Sequence, residues 1–445
     1  MLWIKNAYVI DPAQRLSGIN DVLVKDGVIV KSAGSLQPAD VLEALEAQRL
    51  DDVLQVEGEG KYLFPGLIDV HVHLREPGQE EKEDIRSGSR AAIKGGFTSI
   101  LAMANTTPIV DNRALTEFVR LQGERAAMAR VYPIAAVTKG FLGKELVEMM
   151  DILDGGAVAF SDDGKGIQNA EMMRLALEYA KLTGCPIISH CEDDSLAGHG
   201  VMRKGEMSAR LGLRGIPASA ESVMVARDVL LAAETGGKLH IAHVSTKESV
   251  QIIREAKKMG VDVTAEVNPH HLIFMDQDVS LTNASYKVNP PLPSAEDQIA
   301  LLEGLLDGTI DMLATDHAPH TWEEKTRPFA EAPFGINALE TVLAAVWQNL
   351  VLKGKITPDQ VIALWSVNPA RRFGLPGGTL RPGSQADLVL FDPEYREMIS
   401  AETMETKSQN TPFLGQEMQG FPVMTIVGGK IRMAGRKLLD NKEEA

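Results

Sequence analysis

Hydrophobic and polar positions follow two different patterns along the chain. Near the start, LWIKNAYVID, DVLVKDGVIVKSAG and DVLQVEGEGKYLFPG are alternating or β-rich runs broken by Asp-Gly and Glu-Gly turns. One stretch of helical spacing, PADVLEALEAQRL from Pro38 to Leu50, interrupts them. From Pro65 the pattern changes. Apolar runs of strand length alternate with amphipathic helical stretches. The runs are GLIDVHVHL from Gly66, TSILAMAN from Thr98, VYPIAAV from Val131, AVAFSDD from Ala157, CPIISHCE from Cys185, KLHIAHVS from Lys238, VDVTAEVNP from Val261 and TIDMLATDH from Thr309. AEMMRLALEYAKLTG and KESVQIIREAKKMG lie between them, each ending at a glycine as helices commonly do. Strands apolar on both faces suit a parallel sheet covered by helices. Eight such units over about 250–300 residues fit a (β/α)8 barrel. A doubly wound sheet satisfies the same alternation.

After a helical stretch at Thr357–Arg372, GGTLRPGSQADLVLFDP and FPVMTIVGGKIRMAG return to the style of the opening. The expected fold class is therefore α/β. A (β/α)8 TIM-type barrel takes residues 65–372, and residues 1–64 and 373–445 form a small composite β-sandwich domain. The closing KEEA is expected to fray.

Composition narrows the function. Asp and Glu number 61 against 45 Lys and Arg, a formal charge of −16. Without a basic block, that balance argues against general nucleic-acid binding, which needs cations on phosphates. A hydrophobic content of 44% is too high for disorder. No apolar run approaches the ~18 residues of a membrane helix. The start, MLWIKNAYVIDP, lacks the regions of a signal peptide. Cys185 and Cys191 are the only cysteines, so no disulfide framework is implied and a reducing cytoplasm fits.

The chemistry sits at strand ends. His71 and His73 close the first barrel run, and residues two apart on a strand share a face. His190 ends CPIISH, His243 ends LHIAH, Asp163 follows VAFSD and Asp316 follows TIDMLAT. In a barrel these positions meet at the C-terminal mouth, where active sites form. Imidazoles with carboxylates suit divalent ions such as zinc. Two Zn²⁺ balanced by Asp163, Asp316 and a hydroxide would carry about +1 and furnish hydroxide near neutral pH.

PGLIDVHVHLREPG, GGFTSILAMANTTP, KVNPPL, ATDHAPH and APFG, in that order, resemble the signature segments of the dihydroorotase family of the amidohydrolase superfamily. The likeness extends through QADLVLFDP into the β-rich ends. It implies two Zn²⁺: one on His71 and His73, the other on His190 and His243, bridged by Asp163 and a hydroxide. It makes Asp316 both ligand and general acid/base. Arg75, Asn105, Asn289 and His320 match substrate-binding positions, and the Phe334-Gly335 backbone matches a further contact. Asp162 and Asp163 should face opposite ways, so one is the ligand, and the match favours Asp163. A carbamylated Lys165 stays open as an alternative bridge. His270 and His271, after the seventh run near the mouth, read as structural, with a supporting role as the alternative. His240, His317 and Cys191 read as structural.

The implied reaction is the reversible cyclisation of N-carbamoyl-L-aspartate to L-dihydroorotate and water, the third step of de novo pyrimidine synthesis. The implied partner is a small-molecule substrate, with no nucleic acid and no membrane. A homo-oligomer, a dimer first, is expected, and association with aspartate transcarbamoylase is compatible. Allantoinases and hydantoinases open similar rings, but their substrates lack the carboxylate that Arg75 would read. A non-catalytic homologue would lack ligands that are all present here. The polar segment HTWEEKTRPFAEAPFG, from His320 to Gly335, is expected to be a loop at the rim of the site, suited to act as a lid.

Overall fold

The computed structural model describes residues 1–439, so the KEEA tail lies outside the described residues. Eight parallel strands form the central sheet: β1 (Leu67–Val72), β2 (Phe97–Ala102), β3 (Arg130–Ala135), β4 (Ala159–Ser161), β5 (Ile187–Ser189), β6 (Leu239–Ile241), β7 (Val263–Val267) and β8 (Met312–Leu313). They pair in chain order. A parallel bridge between Val72 and His317 brings the continuation of β8 back to β1, so the sheet closes as a barrel. All eight apolar runs of the sequence supply a strand. Several ladders are shorter than their runs, because the ends of the runs turn into the barrel mouth and stay buried there without pairing.

Helices cover the outside for local reasons. Ala170–Thr183 starts on Asn169, whose side chain accepts from the Met172 amide, and ends at Gly184 with φ 73°. It buries Met173, Ala176, Leu177 and Ala180, a single stripe at helical spacing. The helical stretch before the C-terminal domain runs as Pro358–Ile362, a π-helical segment Ala363–Val367, and Asn368–Phe373.

Inside the barrel, Ile68, Val70, Leu101, Met103, Ile134, Ala159, Ile188, Ala242 and Met312 pack as one cluster. In β1 that places Ile68 and Val70 inward, so strict alternation would send His71 and His73 outward. The register against β2 slips between Asp69 and Val72. The extra residue flips the alternation, as bulges do, and turns both histidines to the mouth.

The chain ends join in one nine-stranded ladder. Tyr62–Pro65 pairs in parallel with Leu2–Asp11 and antiparallel with Leu388–Met398. Leu2, Ile4, Val9, Val22, Ile29, Leu388 and Ile426, from strands across the ladder, share one core, so the sheet curls over its own apolar face. Between Leu388–Met398 and Glu417–Val427 the chain leaves this sheet and reaches the barrel. There Glu340 accepts the Glu405 and Thr406 amides, each at 2.9 Å. Among the described residues no helix is long and apolar enough to cross a membrane.

Candidate metal centre and substrate cleft

The six strand-end residues converge at the mouth of the barrel. His71 and His73 come from the bulged end of β1, His190 directly follows β5, and His243, Asp163 and Asp316 lie just past β6, β4 and β8. All six are buried. Arg75, His243 and Asp316 hold left-handed backbone, at φ 63°, 33° and 48°. Such conformations cost about 1–3 kcal/mol each in a non-glycine residue and cluster at functional sites.

Asp163 divides its carboxylate between two groups of imidazoles. Its Oδ2 lies 3.6 Å from His71 Nε2 and 3.5 Å from His73 Nε2. Its Oδ1 lies 3.3 Å from His190 Nδ1 and 3.4 Å from His243 Nε2. Asp316 Oδ1 stands 3.0 Å from His73 Nε2 and 3.5 Å from His71 Nε2. His71, His73 and Asp163 form one group that could hold a metal ion, and Asp163, His190 and His243 form another.

The electrostatics of these atoms suit cations. His71 Nδ1 donates to Glu266 at 2.7 Å. Burial alone would keep Glu266 protonated, but His71 and His240 bring its pKa down to about 2, so it only accepts. His71 Nε2 then faces the oxygens of Asp163 and Asp316 and has no hydrogen-bond partner; neither do Asp163 Oδ1 and His190 Nε2. With protons alone, burial opposes a charge on His71, yet Asp163, Glu266 and Asp316 raise its pKa well above the usual range. Burial likewise opposes ionisation of Asp163, and the imidazoles, His71 foremost, pull its pKa well below normal. A divalent cation answers the same field while each imidazole stays neutral, and histidine with carboxylate is a zinc-competent donor set.

Glu266, on β7, escapes sequence reasoning. It is fully buried, binds His71, and also accepts from His240 Nε2 at 3.0 Å and from the His243 amide at 3.3 Å. His240 therefore belongs to the support of the centre, beyond a purely structural role. A charged residue inside the apolar run VDVTAEV was the available signal. Asp162 points away from the imidazoles and accepts the Val137 and Thr138 amides at 2.7 and 3.0 Å. Lys165 is exposed. His270 is buried, burial lowers its pKa to about 4, and its Nε2 has no partner. His271 Nε2 donates to the Pro290 carbonyl at 2.9 Å. His317 packs between Glu83 and the Ala338 amide, and Cys191 is a buried thiol beside Ser189 and Asp228.

Of the other sequence candidates, Asn105 and Arg75 adjoin this centre. Asn105 Oδ1 accepts from His73 Nδ1 at 2.8 Å, which leaves the Asn105 amide nitrogen as a donor. Arg75 is buried, its Nε donates to the Pro319 carbonyl at 3.1 Å, and its Nη2 is 3.3 Å from His320 Nε2. Burial lowers the Arg75 pKa to about 10, which still leaves it cationic at neutral pH. His320 Nε2 donates to the Phe334 carbonyl at 2.8 Å. Burial, then Arg75, pushes the His320 pKa down. Asn289 Oδ1 is buried without a hydrogen-bond partner. The Gly335 amide donates to the Lys287 carbonyl at 2.8 Å. The segment from His320 to Gly335 is more ordered than a plain loop: Thr321 caps one helical turn, Trp322–Lys325.

Comparison with known proteins agrees with this geometry. Residues 60–249 match the family model described as Dihydro-orotase-like. The dihydroorotase of Pelotomaculum thermopropionicum is 50% identical over 435 residues, covering 98% of this chain and 99% of that protein. The chain belongs to the dihydroorotase family. A second dihydroorotase, from a Geobacillus species, is 47% identical over 92% of this chain and 96% of its own length. Among solved structures, the L-hydantoinase (dihydropyrimidinase) of Arthrobacter aurescens superposes with a TM-score of 0.86 at 26% identity, covering 99% of this chain and 97% of that one. The dihydroorotase-family sequence thus lies on a fold shared with hydantoinases, the barrel and terminal β domain included.

Proposed function

We propose that the protein is a dihydroorotase, interconverting N-carbamoyl-L-aspartate and L-dihydroorotate with a dinuclear zinc centre. The observation that carries this reading is Arg75: a buried guanidinium beside two adjoining His/Asp groups. A substrate for such a cleft joins a carboxylate to a hydrolysable amide. Arg75 binds the α-carboxylate through its Nη groups, because Nε is held by Pro319. Asn105 donates through its amide nitrogen, Asn289 offers its free Oδ1 to a ligand N–H, and His320 shapes the cleft through Phe334 and Gly335.

Held by His71, His73, Asp163, His190, His243 and Asp316, divalent ions would supply a Lewis acid for the carbonyl and a water acidic enough to yield hydroxide near neutral pH. Asp316 moves the proton. In hydrolysis it takes the proton of the attacking water and delivers it to the ring nitrogen as the C–N bond breaks. In ring closure it takes the proton of the carbamoyl nitrogen as the C–N bond forms and returns it to the carboxyl oxygen, which leaves as water. Microscopic reversibility makes one carboxylate both base and acid.

Three results test these assignments. Dihydroorotate, hydantoin and allantoin offered side by side should give turnover dominated by dihydroorotate; preference for either of the others overturns the substrate reading. Arg75→Lys should raise KM about 10–100-fold, the worth of a charged bidentate contact, with bound metal unchanged. Wild-type kinetics in that variant removes Arg75 from the site. Glu266→Gln keeps the shape but weakens the acceptor that fixes His71, so metal affinity should fall about 10–100-fold in chelator competition. Unaltered affinity would leave Glu266 a packing residue only.

A further inference from the structure

The backbone around His320 and Gly335 is held in part by a residue from outside the barrel. Asn410 lies on the segment that leaves the terminal sheet, far along the chain from every other cleft residue. It is 4% exposed and uses both ends of its amide. Nδ2 donates to the Ala318 carbonyl at 3.0 Å and the Gly335 carbonyl at 3.1 Å. Oδ1 accepts from the His320 amide at 3.1 Å. Lys325 Nζ donates to the Pro333 carbonyl at 3.0 Å and to the same Gly335 carbonyl at 2.9 Å. Gly335 thus has both lone pairs of its carbonyl engaged.

The packing leaves this backbone little freedom. A Cβ on Gly335 would meet the Ala318 carbonyl oxygen at 2.7 Å and His320 Cδ2 at 3.1 Å, and its φ is 138°. The stretch can therefore lie this close to Ala318 and His320 only as glycine. Lys325 is a buried amine whose pKa burial lowers to about 7; charged or neutral, it has the N–H groups for its two carbonyl partners, and burying it would be costly without them. Neighbouring Glu324 is engaged with Lys82 at 3.0 Å and with His320 at 3.2 Å.

We infer that Asn410 and Lys325 are positioning residues for substrate binding: a clamp in which Asn410, from the terminal domain, and Lys325, from the barrel, together fix His320 and the Phe334-Gly335 backbone. The inference rests on the reading that this segment borders the dihydroorotate site. An amide is the side chain that donates to two carbonyls and accepts from an amide at one place. Aspartate would set an acceptor against those carbonyls, and alanine would leave all three groups unpaired. The clamp touches no residue of the metal groups, so its loss should act on binding.

The test uses the intact metal-loaded enzyme. Asn410→Ala should raise KM for dihydroorotate roughly tenfold, the net worth of about one hydrogen bond, with kcat little changed. Bound metal should stay at the wild-type level. Amide hydrogen exchange of peptides spanning residues 326–336 should accelerate. Lys325→Met, which keeps the aliphatic volume without the donors, should shift KM and exchange in the same direction and provides the test if Asn410→Ala does not fold. A lowered Tm with unchanged KM and unchanged exchange in either folded variant overturns the clamp. Absence of dihydroorotate turnover in the wild type overturns the substrate reading instead, so the two failures are distinguishable.

Discussion

Asp316→Asn is expected to lower turnover by about 10³-fold in both directions, within the range of general acid–base contributions. Asparagine matches the carboxylate in shape but accepts no proton. The variant should still bind metal, because His71, His73 and Asp163 are untouched on one side and His190 and His243 on the other. The structure shows why no neighbour takes over. The imidazoles around Asp316 present Nε2 atoms to the same centre, and Glu266 is committed to His71 and His240. His270, the remaining buried imidazole coupled to Asp316, has its pKa lowered by burial to about 4. A variant retaining half the activity with a full metal complement would remove Asp316 from proton transfer.

Asp163→Asn should have the second large effect, on metal content. Asp163 is the one group common to both sets, with one oxygen toward each. Asparagine removes the charge facing four imidazoles and one of the shared donors. Bound metal per chain should fall towards zero. Asp162→Asn is the control. It should retain metal and lower Tm, because the Asp162 carboxylate accepts the Val137 and Thr138 amides and ties the ends of β3 and β4. Metal lost from the Asp162 variant and kept in the Asp163 variant would reverse the assignment. A carbamate on Lys165 in the wild-type protein, seen by mass spectrometry, would replace Asp163 as the bridge.

The barrel was legible because apolar runs, helical stripes and glycine stops all point to the same alternation. The candidate site was legible because its side chains end those runs, where barrel geometry gathers them. Two kinds of feature were hidden. The bulge in β1 reverses which residues face the interior, and nothing in DVHVH marks it; identical letters on a regular strand would turn outward. The left-handed backbone at Arg75, His243 and Asp316 is equally silent in the sequence. Supporting residues were hidden by distance. Glu266 carried a faint mark, as a charge in a buried strand. Asn410 carried none, since its partners lie 75 to 92 positions away and its segment reads as an ordinary turn-rich connection. The terminal segments also form one continuous curled ladder, a pairing that strand patterns cannot assign.

A metal titration read by turnover addresses the central reading most directly. The protein is stripped with a chelator, Zn²⁺ is returned in steps, and bound metal and dihydroorotate hydrolysis are measured on the same samples. Hydrolysis should be absent without metal and should rise to a plateau when both His/Asp groups are filled. Full hydrolysis by the metal-free protein, or no hydrolysis of dihydroorotate with both groups filled, would contradict it.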